Sequence, residues 1–331
     1  MTDRNRTRLG AGDLSPAQPA RRGLRTRLAE HPLLERTANL FLFSLAVISG
    51  LLGLWLVWIH LMSDPIADAR AYYDAASRLN HGLPLYPPDI DPSTNLVYLY
   101  PPLLAVALRP LAVLPFNVFA LVWEAIVLGS FALLVRQLGG GKRVWTAIGI
   151  LGIPIGWALS VGQAHVPLTL LLAIGQPWSI ALAANIKVFP ALIALWWLGR
   201  RDYESFSAFL VWLVIIGIVE FVLEPAGTLA FLHGGVGLAQ LGDVRNISPY
   251  AWASPLAWSV IVLAGALVTV ALARTRWGWA VAVTFATLAS PRLLVYMLTG
   301  LLAAIRQPHI AGEPDPEAPL DTVTAFAKAV R

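Results

Sequence analysis

Cysteine is absent from all 331 residues, which excludes disulfides and thiolate metal sites. Charge is nearly as scarce: Asp, Glu, Lys and Arg make up 13% of the chain, against roughly a quarter in an average soluble domain. The six His are scattered and no carboxylates repeat at a fixed spacing, so neither a metal nor a cofactor is expected. Short alternating apolar segments are missing too, which argues against a transmembrane β-barrel. Gly139-Gly140-Gly141-Lys142 lacks the preceding strand, the spacing and the Ser or Thr of a phosphate loop, so a nucleotide site is not expected there.

What remains is hydrocarbon and indole. Hydrophobic residues make up 57% of the chain and Trp occurs thirteen times. Apolar runs of roughly 17 to 25 residues recur, the length a helix needs to satisfy its backbone inside lipid. The expected class is an all-α polytopic membrane protein. The net charge of +5 does not point to nucleic acid: eight Arg fall between Arg4 and Arg36, and most other cations bracket apolar runs, the pattern that sets membrane orientation.

Residues 1–38 read as a disordered, Arg-rich cytoplasmic tail, and residues 39–306 as the membrane domain. Leu40 to Met62 starts too late and runs too long for a cleavable leader, so it is expected to be an anchor crossing from inside to outside. A first external loop, 63–100, follows. Pro101 to Val135 is apolar with breaks at Pro110 and Leu114-Pro115, and Val144 to Ser160 is the next span. Val166 to Leu198 is interrupted at Gly175-Gln176-Pro177 and Asn185-Ile186-Lys187. Phe206 to Leu223, a second external loop at 224–254 and Pro255 to Ala273 come next. Trp277 to Ile305 is broken at Ser290-Pro291-Arg292, and a polar tail occupies 307–331.

The first external loop carries five Asp, at 64, 68, 74, 89 and 91. Asp64-Pro65 has the form of an N-cap before a first-turn proline, and Gly82 the form of a stop, predicting an interfacial helix up to about Asn80. On it Tyr72 and Tyr73 are expected at headgroup depth, while Asp68 faces the bundle. Asp74 lies almost opposite Asp68 on the wheel and is expected to be solvated, and Asp89 and Asp91 sit beside prolines as turn residues. Asp68 is thus the candidate general base, with a solvated surface charge as its alternative. By charge parity Asp68, Gln163, His165, Lys187, Arg245 and Arg292 all fall near the outer face. Lys187 and Arg292 suit a lipid phosphate, or snorkel to headgroups; His165 and Gln163 suit sugar hydroxyls, or satisfy a helix end. Arg109 is expected at the interface, and Glu124 and Glu220 to pair within the bundle.

The motif from Asp68 through Tyr72, Tyr73, Ala75-Ala76, Leu79, Gly82, Leu85-Tyr86 and Tyr100-Pro101-Pro102-Leu103 resembles the GT-C membrane glycosyltransferases, and more narrowly glycosyltransferase family 87. Pro110-Leu111-Ala112, Leu114-Pro115, Gly162-Gln163, Lys187 to Pro190 and Ser290-Pro291 continue the likeness. The Ser290-Pro291 block lacks the His that often follows in the family, with Arg292 and Tyr296 nearby instead. The resemblance implies a GT-C-like bundle of about 8–10 transmembrane or half-spanning helices. It also implies Asp68 as base at the extracytoplasmic face of the cell membrane, with the N-terminus cytoplasmic. A polyprenyl-phosphate sugar is the implied donor, the hexose most simply mannose, and a glycolipid or glycan the acceptor. Tyr72, Tyr73, Tyr100, Gln163, His165, Lys187, Arg245, Arg292 and Tyr296 are the expected substrate contacts. A transporter or lipid flippase using the same charged cavity, and a non-catalytic membrane subunit, are the alternatives.

Overall fold

A computed structural model describes residues 32–63, 65–87, 97–233, 241 and 245–308. Expectations for the tail up to residue 31, for Asp64, Asp89, Asp91 and Asp243, and for residues 309–331 lie outside the described residues. Every regular element among the described residues is helical. The chain divides into two compact units, residues 1–43 and Ser44–Arg331. In the first, the described residues form the start of α1 (Pro32–Ser63), exposed from Leu33 to Phe43, with the Thr37 hydroxyl returning to the Leu33 carbonyl at 2.8 Å.

The second unit continues with α2 (Ala67–Asn80), α3 (Pro102–Leu108), a 3₁₀ turn (Leu111–Val113), α4 (Phe116–Gln137), α5 (Lys142–Ile150) and α6 (Gly152–Ser160). Then come α7 (His165–Ile174), α8 (Pro177–Ile186), a 3₁₀ stretch (Phe189–Ile193), α9 (Ala194–Arg200) and α10 (Tyr203–Leu223). The order closes with α11 (Pro225–Leu232), α12 (Pro249–Trp252), α13 (Pro255–Leu272), α14 (Gly278–Leu288) and a 3₁₀ segment (Val295–Ala304). Local chemistry sets many of these starts. Proline opens α3, α8, α11 and α13, where its missing N–H is not needed. Asp202, Glu224 and Ser254 accept from the third residue after them, capping α10, α11 and α13.

Among the described residues α1, α4, α10 and α13 are long and apolar enough to cross a bilayer, and the bent pair α5–α6 is a fifth candidate. With the shorter apolar segments α7, α14 and Val295–Ala304, this is a multi-pass all-α membrane protein. The prolines at 110 and 115 do split the stretch after Pro101. α3 has seven residues, about 10 Å, so α4 makes the crossing there.

Val144 to Ser160, expected as one span, is bent by 72° around Leu151 between α5 and α6, as a broken span or a re-entrant pair. Pro154 has no N–H for the Ile150 carbonyl four residues back, which opens the helix there, and α1 takes up the freed groups. The Ser49 hydroxyl donates to the Ile150 carbonyl at 2.8 Å and accepts the Ile153 N–H at 3.4 Å, satisfying groups that the bend exposes. Gly53, Gly152 and Gly156 bring the backbones together; a Cβ on Gly53 would lie 2.1 Å from the Gly152 carbonyl oxygen.

The core has two lobes. One surrounds Trp196, Trp197, Trp279 and Leu302; the other gathers Tyr72, Tyr98, Phe119, Trp123, Leu293 and Tyr296 under α2. The Val295–Ala304 segment packs against α6, α7 and α14, tying the second lobe to the rest of the bundle.

Candidate active site

α2 lies on α3, the Leu111–Val113 turn and α4 through a face of small residues, with Ala69, Ala71, Ala75 and Ala76 buried. Its N-cap position is Ile66 in the left-handed region (φ 59°), with no side-chain cap. The first-turn N–H groups instead reach the end of α6: Ile66 N–H donates to the Ser160 carbonyl at 3.3 Å and Asp68 N–H to the Val161 carbonyl at 3.0 Å. Each helix end thus satisfies the other's orphan groups, and Asp68 is fixed through its backbone. Gly82, at φ 68°, follows the far end as the sequence predicts.

Beyond Val161 the chain turns at Gly162, whose φ of 67° favours glycine. A methyl there would also lie 2.9 Å from Ile66 Cγ2 and 3.1 Å from Ala69 Cβ. The Trp123 indole N–H donates to the Gly162 carbonyl at 2.7 Å. This turn delivers Gln163, fully buried, to the centre of the site. Its Nε2 donates to Asp68 Oδ2 at 2.8 Å, while its Oε1 accepts from the hydroxyls of Tyr72 at 2.6 Å and Tyr100 at 2.5 Å. The carboxylate needs a donor and the phenols need an acceptor, so the amide has one chemically consistent orientation. Tyr72 Oη also accepts the Ala164 N–H at 3.2 Å.

Tyr100 belongs to an aromatic wall. The Tyr86 hydroxyl donates to the Tyr100 carbonyl at 2.6 Å. The Tyr98 hydroxyl donates to the Pro101 carbonyl at 2.6 Å and accepts the Ala105 N–H at 3.0 Å, capping α3. Burial pushes the Tyr86, Tyr98 and Tyr100 phenols well up from their ordinary range, and the Asp68 charge pushes Tyr100 further. They remain protonated, as donors.

The cations come from later helices. Lys187 ends α8, and its Nζ is buried without a hydrogen-bond partner, 5.8 Å from the ring centroids of both Tyr100 and Tyr296. It lies within electrostatic reach of Arg292 and Asp68. Arg292 sits in the break between α14 and Val295–Ala304, and Asn246 holds that break in place. Asn246 donates to the Pro291 carbonyl at 2.9 Å and accepts the Leu293 N–H at 2.9 Å. His165 opens α7, buried, with its ring 6.3 Å from that of Tyr296 and both ring nitrogens without a hydrogen-bond partner.

Asp68, Tyr72, Tyr100, Gln163, His165, Lys187, Arg292 and Tyr296 therefore come together. Tyr72 is 1% exposed: the small-residue face of α2 packs inward and takes Tyr72 with it, so its ring faces protein. Tyr73 points away from this cluster, packing on Phe116 and Phe119 beside Arg70. Arg245 is exposed, one residue from the buried Asn246. Asp74 pairs with Arg70 on the exposed side, and Arg109 exchanges hydrogen bonds with Asn80. Glu124 and Glu220 each keep a buried Oε2 without a partner among the described residues. Sequence reasoning passed over Asn246, Trp123, Tyr86 and Tyr98 as positioning residues. The Tyr98-x-Tyr100 spacing was a readable signal; the hold of Asn246 on the Arg292 break was not, since its partners there lie some 45 residues on.

Among the described residues no group of His, Asp or Glu is arranged to hold a metal ion. What the arrangement offers is a half-buried carboxylate held by a neutral amide, a rim of phenolic donors and a pair of cations across it.

The sequence profile of glycosyltransferase family 87 matches residues 98–307. Two curated relatives are similar, each a polyprenol-phosphate-mannose-dependent alpha-(1-2)-phosphatidylinositol pentamannoside mannosyltransferase. The one from Mycobacterium tuberculosis is 28% identical over 257 residues, covering 70% of this chain and 57% of the relative. That from Mycolicibacterium smegmatis is 27% identical over 316 residues, covering 78% of this chain and 76% of the relative. The chain thus spans little more than half the length of the first relative. No solved structure matches. Matched to the family profile over well more than half of its residues, the chain belongs to glycosyltransferase family 87.

Proposed function

We propose that this protein is an inverting membrane transferase that moves a hexose, mannose by analogy with its relatives, from a polyprenyl phosphate to a hydroxyl of a glycolipid or glycan. Asp68 is the general base. The acceptor oxygen attacks the anomeric carbon on the face opposite the phosphate and its proton passes to the Asp68 carboxylate. The bond between the anomeric carbon and the phosphate oxygen breaks, and polyprenyl phosphate leaves with the electron pair. Lys187 and Arg292 stabilise the charge that gathers on that phosphate. Tyr100, Tyr296 and His165 border the space where the sugar would lie, while Gln163 and Tyr72 fix the base. The observation that carries this reading is the Gln163 amide joining Asp68 to Tyr72 and Tyr100, with Lys187 poised over the Tyr100 and Tyr296 rings.

The reading includes an extracytoplasmic site and a cytoplasmic N-terminus. It is supported by the position of the basic ends: Arg306 donates to the Gln137 carbonyl at 3.2 Å, beside Arg136, Lys142 and Arg143. The other end of α4, about 33 Å away for its 22 residues, packs under Tyr73 of α2.

The test is Asp68→Asn in membranes given labelled polyprenyl-phosphate mannose. The expected loss is about 100- to 10,000-fold in rate, as for other general bases. Turnover near wild type removes Asp68 from that role.

A further inference from the structure

A second feature lies apart from the hydrogen-bonded cluster. α13 and α14 leave between them a groove of about 570 Å³ whose walls are almost wholly hydrocarbon, including Ile261, Val268, Val281 and Leu288. Gly265 lets α13 rest on the Phe285 ring, which forms part of the floor; a Cβ there would lie 2.5 Å from Phe285 Cδ2. From Trp258 to Leu272 the groove follows α13 for about 21 Å.

One end of the groove adjoins the candidate site. Pro249 and Ala289 line that end, and the Trp258 indole N–H donates to the Ala289 carbonyl at 3.1 Å. Ala289 begins the break that carries Arg292, and Asn246, three residues before Pro249, clamps the same break. The end of the groove is therefore built from Pro249 and Ala289, each three residues along the chain from Asn246 and Arg292 of the clamped break.

We infer that this groove receives the hydrocarbon chain of a polyprenyl phosphate whose phosphate rests at Lys187 and Arg292. The inference rests on the proposed donor and adds where its chain lies. Charge complementarity at the head end and continuity with the cation pair favour this occupant over a bulk lipid chain, which needs no cation at that depth.

The test uses the full chain in nanodiscs and a sugar-free polyprenyl phosphate bearing a diazirine in an isoprene unit near the phosphate. Photolabel is expected on α13 and α14 positions facing the groove, such as Val268 and Thr284, and to be competed by unlabelled polyprenyl phosphate. Label spread over the exposed faces of α1 and α10, or removed equally by an ordinary phospholipid, overturns it. Thr284→Trp, which fills the groove, supplies a second readout. KM should rise about tenfold or more for a long-chain mannosyl donor, through lost burial of its methylenes, and stay unchanged for a donor of two isoprene units. An equal change for both donors, or none for either, overturns the inference. Should wild type transfer from neither donor, the transferase reading fails, while photolabelling still decides the groove.

Discussion

Gln163 is the residue on which the site's geometry depends. Its amide serves an acid and two phenols at once, and each contact requires a particular end of it. Gln163→Ala leaves the buried Tyr72 hydroxyl without its acceptor and releases the Asp68 carboxylate, so thermal unfolding should show a loss of about 1–3 kcal/mol. Gln163→Glu is the sharper probe: Oε1 can still accept from the phenols, but an ionised carboxylate has no donor for Asp68. Activity should therefore fall further than the lost stability explains, in assays run beside the unfolding measurement. Lys187→Met keeps much of the volume and removes the charge; KM for the donor should rise while acceptor KM stays put, whereas equal changes in both would remove Lys187 from the phosphate.

At the scale of elements, two short connections aim the groups. The Val161–Ala164 turn needs glycine at 162, and Gly162→Ala should lose about 1–2 kcal/mol for the left-handed backbone alone, with more for contact against Ile66 and Ala69. A lowered unfolding midpoint with altered Trp123 fluorescence is the expected result. The 289–293 break is held from a distant loop: Asn246→Ala strands the Leu293 N–H and the Pro291 carbonyl, and should loosen Arg292 before it unfolds anything. Donor KM rising ahead of any change in unfolding temperature would show this. The proline breaks at 110 and 115 were legible in the sequence because they act within one turn of the residue concerned, whereas the N-cap position of α2 is Ile66, without a side-chain cap, and not the expected Asp64-Pro65. At the Leu151 bend only the proline is local: the Ser49 hydroxyl that takes up the Ile150 carbonyl left free by Pro154 lies a hundred residues away on another helix.

For the whole molecule, the lack of cysteine makes sidedness directly measurable. Leu83→Cys, exposed past the end of α2, should react with an impermeant maleimide on intact cells, and Gly141→Cys, exposed among the basic ends, only after permeabilisation. The reverse pattern would invert the proposed topology. The tyrosines of the aromatic wall add a pH dependence. Tyr86, Tyr98 and Tyr100 are raised in the folded state above the ordinary 10.0, so the fold holds their protons when the unfolded chain has released them. Their contribution is fully present below about pH 10 and is lost as pH rises beyond it, so unfolding temperatures should drop on the alkaline side there.

The sequence by itself determined the class, the apolar segments and the candidate carboxylate. Run length, proline and glycine punctuation and charge placement are local properties, and Asp68 could be singled out from its neighbours by them. Only the tertiary structure decided which stripe of α2 is covered, that Tyr72 is buried and Tyr73 is not, and that Gln163 joins Asp68 to the tyrosines. It also decided that Asn246 holds the Arg292 break and that Arg245 lies exposed beside it. The physical reason is that a helical wheel fixes which residues share a face, while what covers that face comes from helices a hundred residues away.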